Sequence, residues 1–267
     1  MARQSPVLMV GVSVLLLMTA ACNGQPVSTP ATSIELTVYA ASSLKRALDA
    51  AASAYRPVAP DVALVIATGS STALRTQIEA GARADLFLGA EAKNAAALFD
   101  SGNAEGTPVA FAANSLTLAV PLANPLGLSS PMDLARPGVR IIAAGEGVPI
   151  THFSDAIVAI LDDLPDYPAG FAAAYAANVV SREDDAAAVT GKLVIGEGDA
   201  AFVYASDAIA NGLPTLPLPD TANVAAAYVG VVVAGSPHSA EAMAFLDWLR
   251  GPDGQAIFTR LGFDPVQ

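Results

Sequence analysis

The chain has 267 residues, a formal net charge of −12 at neutral pH, 53% hydrophobic residues and a single cysteine. That hydrophobic share excludes a disordered chain, and the length allows one large or two medium domains with a substantial core. The negative charge argues against nucleic acid and against an electrostatic hold on acidic lipids, and one cysteine excludes a disulfide within the chain.

Residues 1–22 begin basic at Arg3, run apolar from Val7 to Met18 apart from Gly11 and Ser13, and end Thr19-Ala20-Ala21-Cys22. The run is short and closes on small residues, so it reads as a secretory signal rather than a spanning helix. Cys22 directly follows that stretch and resembles the lipobox cysteine of bacterial lipoproteins, which is lipidated and becomes the new N-terminus. Thr19 stands where that motif usually has leucine, and ordinary cleavage near Ala21 is the alternative. Residues 23–33, NGQPVSTPATS, have the composition of a flexible tether.

The folded part begins near Ile34. Leu36–Ala40 reads as a strand, Ala41-Ser42-Ser43 as a polar turn, and Leu44–Tyr55 as a helix with Leu44, Ala47, Leu48, Ala51 and Tyr55 on one face. The unit then repeats in kind: an apolar strand ending near Ala67, the hydroxylated cluster Thr68-Gly69-Ser70-Ser71-Thr72, and a helix over Ala73–Ala80. A helix start carries four backbone N–H groups without intrahelical partners and the positive end of the helix dipole. Serine hydroxyls add donors there, so each turn can receive an anion. Helix capping is the commoner reason for one such cluster. Two in succession imply neighbouring parallel strands, whose connections put both turns at one sheet edge. Neither turn holds Lys, Arg or His, so a guest would be held by neutral donors.

Asp85–Ala90 predicts a third strand and Glu91–Ser101 a helix with Ala95, Leu98 and Phe99 inward. The apolar segments Thr107–Phe111 and Ser115–Val120 around Ala112-Ala113-Asn114 interrupt the βα alternation and predict a crossing to a second lobe. Val139–Ala144 is a strand, and the loop Gly145–Thr151 leads into a helix over Phe153–Leu161. Phe171–Ala177 predicts a short helix and Asn178–Val180 a brief strand. Glu183-Asp184-Asp185 sits at the favourable end of a helix over Ala186–Ile195. Ala200–Tyr204 is a strand that leaves Tyr204 at its carboxyl end, free to reach a crevice or to pack in the core. Tyr228–Ala234 predicts the return across the hinge, and helices over Ala240–Arg250 and Pro252–Arg260 close the chain with Phe245, Leu246, Trp248, Leu249, Ile257 and Phe258 as core.

The segments VYAASSLKRAL from 38, GSSTALRTQIEAGARADLFLGAE from 69, NSLTLAVP from 114, GEGVP from 145, EDDAAAVTGKLVIGEGDAAFVYASDA from 183 and FLDWLRGPDGQAIFTRLGF from 245 resemble, in order, the substrate-binding proteins of bacterial molybdate ABC transporters. The resemblance implies an α/β periplasmic-binding-protein-like fold of type II. Its two lobes, each a mostly parallel sheet flanked by helices, are joined by two hinge crossings, with residues 34–113 and 230–267 in one and 114–229 in the other. It implies a tetrahedral oxyanion, molybdate or tungstate, held without counter-charges or direct protein–metal ligands. Position by position, the donors fall on the hydroxyls of Ser43, Ser71 and Tyr204 and the backbone N–H groups of Ile150 and Ala186. The loop reads Pro149-Ile150-Thr151 where the family commonly has proline-alanine-glycine. The implied partners are a membrane permease and, through Cys22, the membrane; no cofactor or nucleic acid is implied, and the protein is expected to be an extracytoplasmic monomer.

Two alternatives stay open. Sulfate is another tetrahedral oxyanion of the same charge. A serine hydrolase built on Ser70 or Ser71 would need His152 or His238 as base, and Gly69-Ser70-Ser71-Thr72-Ala73 does not fit the G-x-S-x-G elbow.

Overall fold

The computed structural model describes residues 1–2 and 33–265; the predicted signal beyond residue 2, Cys22 and the tether up to residue 32 lie outside the described residues. Strands β1 (Ile34–Ala41) and β2 (Val62–Gly69) run parallel from Ile34 opposite Val62 to Ala41 opposite Gly69. On β1 the alternation places Leu36, Val38 and Ala40 in the core, as a strand with one buried face requires. The connecting helix α1 (Lys45–Tyr55) buries Ala47, Leu48, Ala51 and Tyr55, the predicted face. Tyr55 packs its ring 4.9 Å from Phe245 and 5.2 Å from Trp248.

Helix α2 (Ser71–Glu79) leads to β3 (Leu86–Gly89), which lies parallel to β1 on its other side. The carboxyl ends of β1, β2 and β3 therefore share one edge, and both serine turns open there. Helix α3 (Ala92–Asp100) buries Ala95 and Leu98 but leaves Phe99 45% exposed, against expectation. Phe99 lies about 100° around the helix from Leu98 and about 40° from Ala95, on the side away from the buried Asn94, and so falls at the edge of the buried stripe.

The two apolar segments expected around Asn114 form one strand, β4 (Ala104–Ala119), bent by irregularities between Glu105 and Val109 and between Ala110 and Ala112. The crossing is made by a change of partner: β4 pairs antiparallel with β9 (Ala225–Val233) up to Ser115 and with β7 (Ala201–Tyr204) from Leu116. Strand β9 also pairs antiparallel with β3, giving the sheet order β2-β1-β3-β9-β4-β7, with β8 (Thr215–Leu216) beside β4.

Beyond the crossing, β5 (Ile141–Ala144) runs parallel to β6 (Val179–Glu183) and makes an isolated parallel bridge from Ile141 to Ala200, the residue just before β7. Arg140 fastens this junction: its guanidinium donates to both Asp199 oxygens, Nε at 3.2 Å and Nη2 at 2.8 Å, while its backbone N–H donates at 2.8 Å. Helices α4 (Pro149–Asp162), α5 (Phe171–Asn178), α6 (Ala186–Val194) and α7 (Ala205–Asn211) surround these strands. Helix α4 starts four residues before the predicted Phe153 because Pro149, with φ already suited to a helix, occupies its first position. Helices α8 (Ser239–Arg250) and α9 (Pro252–Arg260) return to the first half, where Phe245, Leu246, Leu249, Ile257 and Phe258 are buried and Trp248 is partly so.

Candidate functional site

At the shared edge, Ser42–Leu44 forms one 3₁₀ turn ahead of α1, and Ser70, in extended conformation, precedes Ser71 at the first position of α2. From the other side, α4 presents Ile150 at its second position and α6 presents Ala186 at its first. Tyr204 ends β7 and precedes α7. Ser43, Ser71, Ile150, Ala186 and Tyr204 are all buried and all line one small chamber, together with Ala41, Ser42, Gly69, Ser70, Ala90, Val148 and Pro149. The lining contains no charged side chain.

The hydrogen bonding around the chamber leaves donors pointing inward. Ser71 Oγ accepts from the Ala90 backbone N–H at 3.0 Å, so its own proton is free for a guest. At α6, Asp185 Oδ1 accepts from Ala188 N at 2.9 Å and Ser42 Oγ accepts from Ala187 N at 3.3 Å. The Ala186 N–H is left without a partner among the described residues. At α4, Thr151 N donates to Val148 O, and the Ile150 N–H is likewise left over. The Tyr204 hydroxyl is buried and unpartnered among the described residues, and burial pushes its ionisation well above the ordinary phenol value, so it remains a donor.

Two contacts close the walls upon each other. Thr72 Oγ1 donates to Gly147 O at 2.6 Å, and the Ala187 N–H to Ser42 Oγ bond joins the first serine turn to α6. Gly147 has φ +82, a left-handed turn that suits glycine and turns its carbonyl toward Thr72. The chamber is shut down to about 10 Å³, the room one water needs. Outside it lies a groove of about 260 Å³, where Arg75 and Lys93 are balanced by Glu91, Glu146 and Asp155.

Residues 36–264 match the family described as bacterial extracellular solute-binding protein. The chain belongs to that family. Among its relatives, the molybdate-binding protein ModA of Mycobacterium tuberculosis is 28% identical over 247 residues, 90% of each chain. Among solved structures, the periplasmic molybdate-binding protein of Azotobacter vinelandii has a TM-score of 0.73 at 22% identity, covering 87% of this chain and 100% of its own. The sulfate-binding protein SubI of Mycobacterium tuberculosis reaches 0.78 at 22% identity, covering 88% of each chain. These likenesses show the periplasmic-binding-protein fold.

Within this solute-binding protein, neither histidine lines the chamber that holds Ser70 and Ser71. His152, expected in the glycine loop, is exposed on the first turn of α4 and faces the outer groove. His238 precedes α8 and lines a cleft with Glu35 and Arg83. Sequence reasoning missed Thr72 and Ser42 as closing contacts, and it missed the buried Tyr228 and Asn114 behind Ser43. A polar side chain amid an apolar strand was the available signal for both of the latter.

Proposed function

We propose that the protein captures molybdate, and equally tungstate, between two halves, residues 34–113 with 230–267 and residues 114–229, and delivers it to the permease of an ABC transporter. One observation carries this reading: hydroxyls and helix-start N–H groups from both sides converge on a chamber without a single charged side chain. Aimed dipoles in a desolvated pocket act at contact, where the long-range repulsion of an acidic protein is screened. A fully deprotonated dianion can accept from every donor, whereas a protonated phosphate brings a hydrogen for which the lining holds no carboxylate. The guest binds the closed form better because it bridges both walls, and this difference draws the halves together.

The similarity to ModA points to molybdate, and the tight chamber gives sulfate, the smaller tetrahedral dianion, standing as a second reading. Neither reading involves bond chemistry, in keeping with a solute-binding family, and both histidines lie outside the chamber lining. Lipidation at Cys22 would keep the monomer at the membrane beside its permease. Calorimetric titration with molybdate, tungstate and sulfate tests the choice: molybdate and tungstate are expected to bind with similar affinity and sulfate far more weakly. Tight sulfate binding without molybdate binding would replace the first reading by the second.

A further inference from the structure

Behind Ser43 lies a buried chain of polar groups that spans the two crossing strands. Ser43 Oγ is 2.8 Å from the hydroxyl of Tyr228 on β9. Asn114 on β4 donates from Nδ2 to that hydroxyl at 3.4 Å and to Ser206 Oγ on α7 at 2.8 Å. Tyr228 and Asn114 are fully buried, and Ser206 nearly so. Neither Tyr228 nor Asn114 lines the chamber.

A phenol has one proton. The amide nitrogen of Asn114 only donates and cannot take the Tyr228 proton, which leaves Ser43 Oγ, 2.8 Å away, as the acceptor within hydrogen-bond distance. Ser43 then accepts from behind, and its own proton has the chamber as its remaining direction. Ser71 reaches the same state through the Ala90 N–H. With the opposite polarity, Tyr228 would take the Ser43 proton, and Ser43 would present a lone pair to the guest. A lone pair is what a protonated oxyanion needs, so the direction of this chain decides which anions fit.

We propose that Tyr228 and Asn114 are specificity-determining positioning residues that hold Ser43 as a donor and so restrict the chamber to fully deprotonated tetrahedral dianions. The proposal rests on the reading of the chamber as a tetraoxoanion site. It also gives the crossing strands a role in recognition, because each supplies one member of the chain.

The test compares molybdate with hydrogen phosphate, by direct and competition calorimetry, for the full chain and for Tyr228→Phe. Loss of the phenol frees Ser43 to rotate and to accept. Molybdate affinity is expected to fall about ten- to hundredfold, as for a lost hydrogen bond to a charged group, while hydrogen phosphate affinity falls less or rises. Asn114→Asp, which replaces the donor by an acceptor at nearly constant volume, is expected to reverse the chain and shift selectivity the same way. A thermal melt without anion establishes that each variant folds, and either variant alone decides the matter. Equal losses for both anions, or unchanged selectivity, would overturn the positioning role. Failure of the unsubstituted chain to bind molybdate, tungstate or sulfate would instead overturn the reading of the chamber, and the positioning role with it.

Discussion

Thr72 Oγ1 donates to the carbonyl oxygen of Gly147 at 2.6 Å, tying the first turn of α2 to the glycine loop that leads into α4. This bond joins the two walls of the chamber outside its lining, so on the proposed function it favours closure without touching the guest. Thr72→Val keeps the shape and removes the donor. The closed form is expected to lose about 0.5–1.5 kcal/mol, weakening anion binding about two- to tenfold through faster release. Stopped-flow dissociation measures this directly.

Ser70 and Ser71 are adjacent yet unequal. Ser71 Oγ accepts from Ala90 N, whereas Ser70 makes no side-chain capping bond to α2. Ser71→Ala is expected to cost about ten- to hundredfold in anion affinity, as a donor to a charged group is lost, and to lower stability by about 1 kcal/mol for the orphaned Ala90 N–H. Ser70→Ala is expected to change affinity by less than about threefold, the scale of one neutral hydrogen bond. Calorimetry and denaturant titration on both variants separate the two effects.

Asp207 supplies a pH signature. Its Oδ2 is buried without a partner among the described residues, and burial, reinforced by the charge of Asp185, pushes its pKa up to about 7. The folded state therefore holds a proton that the unfolded chain releases near the ordinary carboxylate value. Its contribution to stability is full below that value and is lost as pH rises toward 7, by an amount on the order of 1–4 kcal/mol. Asp207→Asn cannot release the proton. The difference in melting temperature between the two proteins is expected to widen in the variant's favour from pH 4 to pH 7 and to level off above it, and every other carboxylate cancels in the comparison.

Gly230 lies where β9 passes between β3 and α8. A Cβ there would meet Leu246 Cδ1 and Leu88 Cδ2, both at 2.8 Å. Gly230→Ala is expected to destabilise the fold by about 1–3 kcal/mol, the scale of overpacking a core in which leucine methyls must yield. Urea denaturation reads this as a lower midpoint with an unchanged slope.

Much of this architecture is legible in the sequence because its signals are local. The periodicity of Leu44, Ala47, Leu48, Ala51 and Tyr55 marks α1, and two strand-serine-helix units imply the shared edge where the serines meet. The resemblance to a known family supplied Ile150 and Ala186, which no local pattern ranks above other helix-start residues, and favoured the crevice over core packing for the strand-end Tyr204. What remained hidden depends on partners distant in the chain. Asn114 reads as part of a crossing between two segments until β4 is seen to pass unbroken from β9 to β7. Tyr228 reads as strand filling until its hydroxyl is seen beside Ser43, 185 residues away. Phe99 shows the opposite failure: its spacing of four from Ala95 reads as inward, yet it sits at the edge of the buried stripe of α3 and is half exposed.

The most direct measurement is a crystal grown with molybdate and recorded with the anomalous signal of molybdenum. The account predicts one peak in the chamber, its oxygens meeting the hydroxyls of Ser43, Ser71 and Tyr204 and the N–H groups of Ile150 and Ala186, with no basic side chain in contact. A peak in the outer groove beside Arg75 or Lys93, or anywhere else on the molecule, would contradict it.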